Sequence, residues 1–250
     1  MDVLGFSDVV CKNSPSDLPG IVNQLRNSTI MSIGYFPPNE ISRDRTGLDV
    51  TMLSDTIAIW TFDDSAESLQ HLILAITGLM SFAFKMGLPL RGAISFGAVV
   101  VLPPEQFTPS IFWNKMVFGR AVIEAHKVEK AQCWSGCIIT QSALEHYSEI
   151  NTNPQNSIEK LLAAKRLLQY PVKCKKGIVD SIVVNWACPF FDFDIGGGRF
   201  GSDLPDRDIR NAFECHGKSL QKSNAAEILQ NTIDFIHYVK KLYPDAIYPD

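Results

Sequence analysis

Residues 1–10 of the chain read MDVLGFSDVV, and this stretch decides how the fold begins. Its first residues are typical of the end of a buried strand, and Gly5 allows a sharp turn into a helix that begins at Phe6. Asp2 is the exception, because a carboxylate at the end of a core strand costs free energy unless another group pairs with it. The stretch therefore predicts a strand, a turn and a helix around one acid that needs a partner.

Downstream of this stretch, the hydrophobic pattern changes between the strand period and the helix period. Residues 34–47 are polar and predict a long loop, and residues 48–62 (LDVTMLSDTIAIWTF) predict a hairpin with its turn at Ser54-Asp55. An amphipathic helix over residues 63–87 follows, and residues 88–104 predict either a strand or a hairpin that ends at prolines. The order βα-ββ-αβ indicates an α+β fold, an α/β sandwich with a ferredoxin-like core.

The second half of the chain extends this core. Residues 188–223 are rich in Gly and Asp and are predicted as a loop. We expect a principal domain over residues 1–188, and a C-terminal loop and helix over residues 189–250 that pack on it. The remaining predicted helices cover residues 117–131, 142–147, 157–170 and 224–243, and the remaining strands cover residues 135–140 and 177–187.

Composition narrows the class of protein. The chain has 250 residues, 46% of them hydrophobic, and a formal net charge of -4, which gives no electrostatic reason to expect nucleic acid as a partner. No apolar run of membrane-spanning length and no signal peptide are expected, since Gly78, Ser81 and Lys85 interrupt the longest apolar stretch. The six cysteines follow no disulfide framework. We therefore expect a cytoplasmic protein with reduced thiols and no membrane partner.

Two acids and one arginine occupy positions where packing gives no reason for a charge. Asp2 and Asp55 each lie where an apolar strand meets a turn, and if the strands are neighbours their carboxylates converge on a site suited to Mg²⁺ or Mn²⁺. The alternative is that Asp2 caps the first helix or belongs to a frayed terminus, and that Asp55 is a hairpin-turn residue. Gly5 and Phe6 offer backbone N–H groups to an anion. Arg91 lies inside a strand, and the alternative to a functional role is a salt bridge at the strand edge.

Four motifs in the chain resemble those of class III nucleotidyl cyclases. DVLGFSD resembles their D-x-x-G-F-[ST] opening, and LSDTIAIW resembles their acid-bearing hairpin. LPLRGAISFGAVV is similar to their R-x-G-[IV]-x-x-G strand, and VFGRAVIEAHKVEKAQCWSGCIIT is similar to their W-G-x-x-V-N-x-A-x-R-L-E helix with the strand after it. The motifs follow the family's order and cover about residues 1–140. The resemblance implies a class III cyclase core that binds a nucleoside triphosphate.

This resemblance implies a metal site at the two strand-end acids. Asp2 and Asp55 match the family's two metal-binding aspartates, and the backbone carbonyl of Val3 is a further ligand. Two divalent cations, Mn²⁺ or Mg²⁺, then activate the ribose 3′-hydroxyl and neutralise the triphosphate. On this interpretation the partner of Asp2 is a metal ion, and Asp2, Asp55 and Lys127 are the catalytic residues.

The resemblance also implies how the phosphates are bound. The backbone amides of Leu4, Gly5 and Phe6 surround them, and Arg91 matches the arginine that binds the triphosphate. In the family each site is built from two cyclase domains, one of which supplies the acids and the other the helix that here carries Lys127. Because this chain holds one such domain, a homodimer with composite active sites is implied.

The chain departs from the family at the residues that read the substrate. Ile123 stands in place of an asparagine and Lys127 in place of an arginine, so the bidentate fork of the arginine is lost. Thr51 and Met116 lie near the purine-selecting positions, and neither matches an adenine- or guanine-reading residue. A chain that keeps the metal-binding acids but has lost the purine site resembles the pyrimidine cyclases of bacterial antiphage defence.

This second resemblance implies a uridylate cyclase, a phosphorus–oxygen lyase that converts UTP to 3′,5′-cyclic UMP and pyrophosphate. The product would be a second messenger in antiphage defence. Three alternatives stay open: a cytidylate cyclase that makes cyclic CMP, an adenylate or guanylate cyclase with an atypical site, and a non-catalytic cyclase-like nucleotide sensor. The residues do not distinguish uracil from cytosine.

Overall fold

A computed structural model of the chain describes residues 1–34, 47–102, 115–151, 157–187, 204–221 and 224–243. These residues form a mixed α+β fold with one seven-stranded, mostly antiparallel sheet and eight α-helices. The predicted loop over residues 34–47 lies almost entirely outside the described residues, and so does the predicted domain boundary at residues 188 and 189. The α+β class is therefore confirmed, whereas a cyclase core stays a prediction.

The described strands form two sheets. The larger sheet has the order β2-β3-β1-β4-β7-β9-β8, and β5 and β6 form a separate two-stranded ribbon. Neighbouring strands are antiparallel, except that β4 and β7 are parallel. The strands are β1 (Asp2–Val3), β2 (Leu48–Leu53), β3 (Thr56–Thr61), β4 (Leu90–Ile94), β5 (Val99–Leu102), β6 (Met116–Gly119), β7 (Cys137–Ile139), β8 (Leu167–Cys174) and β9 (Gly177–Val184).

The helices cover the large sheet and extend it at the C-terminus. The long helix α3 packs on β2, β3, β4 and β9, and α4 packs on β4, β7 and the β5–β6 ribbon. From β1 to β4 the elements follow the predicted βα-ββ-αβ order. The helices are α1 (Phe6–Lys12), α2 (Leu18–Gly34), α3 (Ala66–Lys85), α4 (Arg120–Ala131), α5 (Gln141–Ile150), α6 (Ile158–Ala163), α7 (Asp206–Glu214) and α8 (Ala225–Lys241).

The short strand β1 lies between β3 and β4 and joins them. Asp2 is paired with Thr56 on one side and with Arg91 on the other. The backbone N–H of Val3 donates to the carbonyl of Asp55 at 3.2 Å. Gly5 then adopts a φ of 76°, a left-handed conformation that a residue with a side chain rarely adopts, and α1 begins. The predicted strand, turn and helix of residues 1–10 are therefore confirmed.

Two predicted helix boundaries are wrong because strand pairing overrides local propensity. Residues 117–119 belong to β6, where they pair with β5, and α4 begins only at Arg120. Residues 167–170 belong to β8, which pairs with β9 along its whole length. Lys165, with a φ of 53°, separates α6 from this strand. Both corrections concern apolar residues whose pairing partners are distant in the chain.

The C-terminal helices share the core of the preceding residues. The predicted loop over residues 188–223 contains α7, whose buried side chains Ile209, Ala212 and Phe213 have helical spacing within an Asp-rich segment. In α8, which was predicted, the ring of Phe235 packs edge-on against Trp134 with ring centroids 4.6 Å apart. Both helices therefore contribute to the core, and the predicted domain division stays a prediction.

Helix α3 is the most apolar part of the core. By length and composition it is the one helix of the described residues that could span a membrane, contrary to the expectation that no run reaches that length. In the fold, however, 67% of its most apolar window is buried, and it packs on the sheet and on α2. This burial is typical of the core helix of a soluble protein. A cytoplasmic location stays a prediction.

The segment after α7 holds together the turn that follows β1 and the turn that precedes β4. The side chain of Lys218 is buried, and its Nζ donates to the carbonyls of Gly87 and Ala212. Burial lowers the pKa of Lys218 to about 8. Its aliphatic part lies over Gly5, so that a Cβ at Gly5 would come within 2.9 Å of Lys218 Cδ. Gly5 is thus required both by its φ and by this close approach.

A buried ion pair joins β4 to α4. Arg91 Nε and Nη2 each lie 2.6 Å from Glu129 Oε1, and Arg91 Nη1 donates to the carbonyl of Gln132 at 3.0 Å. Both side chains are buried, at 7% exposure for Arg91 and 4% for Glu129. Gln132 continues the network, because its Nε2 donates to the carbonyl of Gly92 and its Oε1 accepts from Trp134.

We expect Arg91→Met to lower the free energy of unfolding by about 3–5 kcal/mol, because the carboxylate of Glu129 would then be buried without its partner. Lys173→Met is the matched control, since Lys173 forms an exposed ion pair with Asp234 at 3.3 Å and should cost about 0–1 kcal/mol. Urea denaturation followed by circular dichroism measures both. Equal losses of unfolding free energy in the two variants would show that the buried pair contributes no more to stability than the exposed pair.

Candidate functional site

A cavity of about 590 Å³ lies beside the end of β1, between β3, β4, β6 and α4. This volume falls within the range of about 300–1,000 Å³ that is typical of small-molecule sites. Apolar side chains such as Ile57, Ile59, Ile94 and Ala121 form much of its wall. Its charged lining consists of the acids Asp2, Asp63, Asp64 and Glu129 and the basic side chains of His126 and Lys130. A polyanion therefore needs accompanying cations to enter this cavity favourably.

The structure gives Asp2 a partner that sequence analysis missed. The side chain of Asp2 is 17% exposed, and its Oδ2 accepts from Lys130 Nζ at 3.1 Å. Lys130 also lies 3.8 Å from Glu129 Oε2, so it lies between two carboxylates. The cost of burying Asp2 is thus offset by a lysine of α4 in this structure. None of the alternatives considered for Asp2, a metal ion, a helix cap or a frayed terminus, included this pair.

The two predicted metal ligands lie on neighbouring strands. Asp2 pairs with Thr56, the residue after Asp55, and the backbone N–H of Val3 donates to the carbonyl of Asp55. Asp55 lies in the two-residue turn between β2 and β3, where Ser54 has a φ of 57°. The convergence of the two strands at this point is therefore as expected. Asp2 lines the cavity, and Asp55 does not.

This donor set fits a hard divalent cation. Two carboxylates and the carbonyl oxygen of Val3 are the ligand types that Mg²⁺ and Mn²⁺ prefer, and Mg²⁺ sites commonly take only one or two carboxylates and complete their shell with water and phosphate. Within the described ranges, no group of three or more Asp, Glu, His or Cys side chains could hold a metal. A cation at Asp2 would compete with Lys130 for the same carboxylate.

The predicted phosphate-binding turn is only partly available. The backbone N–H of Leu4 already donates to the carbonyl of Pro89 at 2.9 Å, so the predicted role for this amide is not supported. The carbonyl of Gly5 accepts from Asp8 and Val9 in the first turn of α1. A phosphate role for the amides of Gly5 and Phe6 stays a prediction.

Arg91 forms a salt bridge, which was the alternative to a functional role for this residue. It forms the buried pair with Glu129, and it does not line the cavity. Binding of a triphosphate to this guanidinium would require the pair to open. The structure therefore favours a structural role for Arg91 and does not support the predicted triphosphate contact.

Lys127 and Ile123 lie on the outer face of α4. Both side chains are exposed, Ile123 at 57%, and four residues separate them, which puts them on the same face of the helix. Neither lines the cavity. Met116 is also exposed, and Thr51 lies in β2 opposite Ala58. A site within a single chain does not include these residues, and only a second molecule could bring Lys127 to the acids.

Sequence analysis missed the residues at the other end of the cavity. Phe96, directly after β4, stacks on His146 of α5 with ring centroids 3.5 Å apart. The exposed rings of Phe62 and Phe96 line the cavity, together with Trp60. Single aromatic residues at strand ends carry no sequence signal that distinguishes them from core residues. Their convergence follows only from the packing of α5 beside β4.

Comparison of the chain with protein-family models, with curated proteins and with solved structures found no match.

The competition between Lys130 and a cation for Asp2 is testable without any substrate. We expect Lys130→Ala to raise the affinity for Mn²⁺ by about five-fold, because the variant removes a positive charge beside Asp2. Lys160→Ala is the control, since Lys160 is an exposed lysine of α6 that does not line the cavity, and it should leave the affinity unchanged. Calorimetric titration with MnCl₂ at low ionic strength measures both. An unchanged affinity in Lys130→Ala would argue against Asp2 as a metal ligand.

Proposed function

We propose that the protein is a metal-dependent pyrimidine nucleotide cyclase that converts UTP to 3′,5′-cyclic UMP and pyrophosphate. The observation that carries the proposal is the register of β1, which sets Asp2 and the carbonyl of Val3 beside the hairpin turn that holds Asp55. Two acids on neighbouring strands of a βα-ββ-αβ sheet are the arrangement that the resemblance to class III cyclases implies.

The reaction is an in-line displacement. The ribose 3′-oxygen forms a bond to the α-phosphorus, the bond from that phosphorus to the bridging oxygen of pyrophosphate breaks, and the proton of the 3′-hydroxyl is released. Divalent cations, when bound, lower the pKa of the hydroxyl and offset the charge of the phosphates. Asp2 and Asp55 would hold them, and Lys127 from a second molecule would stabilise the negative charge that develops in the transition state.

The charge of the cavity supports a metal requirement. Of the four carboxylates that line it, Glu129 is paired with Arg91 and Asp2 with Lys130. Asp63 and Asp64 carry the remaining negative charge. A triphosphate without cations would be repelled from these walls, so nucleotide binding and metal binding should be coupled.

The choice of a pyrimidine rests on side-chain chemistry and not on size. Thr51 and Met116 provide at most one hydroxyl and one thioether, which do not read a purine edge with both donors and acceptors. The cavity volume of about 590 Å³ gives no steric reason to exclude a purine. UTP is preferred over CTP only through the resemblance to antiphage cyclases, as is the role of the product as a second messenger in a bacterial cytoplasm.

A homodimer accounts for the exposed apolar face of the ribbon and α4. The composite site of the family would form at this face, and Lys127 lies beside the face on α4. In a dimer the face would be covered and Lys127 could reach the acids of the other copy. Its exposed apolar residues are Val100, Leu102, Met116 and Phe118 of the ribbon and Ile123 of α4.

A non-catalytic nucleotide sensor is the second candidate, and a specific observation favours it. Lys130 neutralises Asp2, and Glu129 neutralises Arg91, so two of the predicted functional side chains are satisfied within the chain. Ile123 has no hydrogen-bonding group at the position of the family's asparagine. Such a protein would bind a nucleotide and release no product.

We expect Asp55→Ala to abolish turnover and leave the fold intact, because Asp55 lies in a turn and makes its described contact through the backbone. Loss of a group that only hydrogen-bonds to a metal ligand lowers metal affinity or activity by about 10–100-fold. Loss of the ligand itself should therefore lower turnover by more than about 100-fold. Asp180→Ala, an exposed acid of β9, is the control. Incubation with each of the four NTPs and Mn²⁺, followed by chromatography for cyclic monophosphates, measures the product. Turnover near wild type in Asp55→Ala would refute the metal assignment, and no product from wild type would favour the sensor.

Subunit mixing tests the composite site. Asp2→Ala and Lys127→Ala chains should each be inactive alone, whereas an equal mixture should recover about a quarter of the wild-type activity. The reason is that half of the dimers are mixed and one of the two sites in each mixed dimer keeps both groups. Activity assays with size-exclusion chromatography provide the measurement. A monomeric enzyme with full activity would contradict this arrangement.

A further inference from the structure

The Phe96–His146 pair forms a preformed aromatic wall at the end of the cavity distant from the Asp2–Arg91 pairing. The two rings are nearly parallel, with an interplanar angle of 7° and centroids 3.5 Å apart. The backbone holds Phe96 in place, since its N–H donates to Ser142 Oγ at 3.2 Å and the neighbouring Ser95 Oγ donates to the carbonyl of Ala121 at 2.6 Å. The ring of Phe96 is nonetheless 39% exposed and lines the cavity. One face of this ring is therefore occupied, and the rest of its surface is available.

A second hollow of about 60 Å³ continues the cavity behind this wall. Its lining includes His146, and it shares Thr61, Asp64, Ser95 and Phe96 with the large cavity. The hollow is about a tenth of the volume of the large cavity. A planar ligand would lie in the large cavity with an edge directed toward the hollow.

Polar groups at this end suit the edge of a heterocycle. Asp64 Oδ2 lies 3.3 Å from His146 Nε2, without the geometry of a hydrogen bond, and the Asp64 side chain is 69% exposed. A carboxylate accepts a hydrogen bond from a ring N–H or an exocyclic amino group, and the imidazole nitrogen can donate or accept according to its tautomer. The rings of Phe62 and Trp60 add apolar walls.

The wall lies past the end of β4, away from the acids. Arg91, the residue of β4 that pairs with Asp2, is about 10 Å from Ile94 at about 3.3 Å per residue, and Phe96 lies two residues farther along the chain. A triphosphate with its cations at the acids would then have its base near Phe96.

We propose that Phe96 and His146 form the nucleobase subsite, in which the base stacks on Phe96 and Asp64 accepts a hydrogen bond from its edge. This inference rests on the proposed function for the identity of the ligand as a pyrimidine nucleotide. It moves base recognition from Thr51 and Met116, which do not line the cavity, to the chain that supplies Asp2 and Asp55, so the choice of a pyrimidine then rests on the resemblance alone. Uracil would offer its N3–H to Asp64, and cytosine its amino group.

The test separates base contacts from phosphate contacts. Calorimetric titration in Mg²⁺ uses 3′-deoxy-UTP, which lacks the attacking hydroxyl, and inorganic tripolyphosphate, which lacks the base. Phe96→Leu should lower the affinity for 3′-deoxy-UTP by about ten-fold, the usual scale for loss of one base–aromatic stack. It should leave the affinity for tripolyphosphate unchanged. Asp64→Asn should weaken 3′-deoxy-UTP and not tripolyphosphate. Phe96→Trp, which keeps a flat ring, should bind like wild type.

Tyr238→Leu is the matched control, since Tyr238 is an aromatic residue of α8 that lines neither hollow. The subsite is overturned if Phe96→Leu binds 3′-deoxy-UTP like wild type, if it weakens both ligands equally, or if wild type binds 3′-deoxy-UTP no better than tripolyphosphate. Selective weakening in a protein that forms no cyclic product would support the subsite and refute the cyclase. Tighter binding of 3′-deoxy-ATP than of 3′-deoxy-UTP would overturn the pyrimidine assignment.

Discussion

The buried ion pair between Arg91 and Glu129 is the constraint on which the cavity depends. A charge removed from water at this depth is tolerated only when its partner and its remaining hydrogen-bonding groups are satisfied, and here the carbonyl of Gln132 completes the set around Arg91. Because Arg91 lies in β4 and Glu129 in α4, the pair fixes the helix against the sheet. The wall of the cavity that α4 provides is therefore held by this electrostatic contact.

The same helix sets the charge around Asp2. Glu129 is committed to Arg91, and the next residue, Lys130, reaches Asp2. The carboxylate that the resemblance assigns to a metal is thus neutralised in the chain without metal. A cation that binds there must displace Lys130 from Asp2. This cost would be offset when a triphosphate accompanies the metal and supplies further ligands. This coupling would limit occupation of the site by a cation alone.

The C-terminal segment completes the core and is part of the same folding unit. Phe235 of α8 packs against Trp134, and Thr232 of that helix accepts from the backbone N–H of Ser135, in the segment that leads from α4 to β7. Lys218 binds the carbonyl of Gly87 before β4 and lies over Gly5 after β1. The two turns that border the proposed site are therefore held from the C-terminal side.

Local patterns in the sequence were sufficient for the α+β class, the hairpin turn at Ser54-Asp55 and the helix α8, because hydrophobic period and turn chemistry act over a few residues. These patterns left open whether the strands of Asp2 and Asp55 are neighbours, because Asp2 pairs with Thr56 across a long stretch of chain. Only the tertiary structure decided the partners of the charges: Glu129 lies 38 residues from Arg91, and Lys130 lies 128 residues from Asp2. Such pairs depend on how α4 lies against the sheet, and no local period encodes that placement.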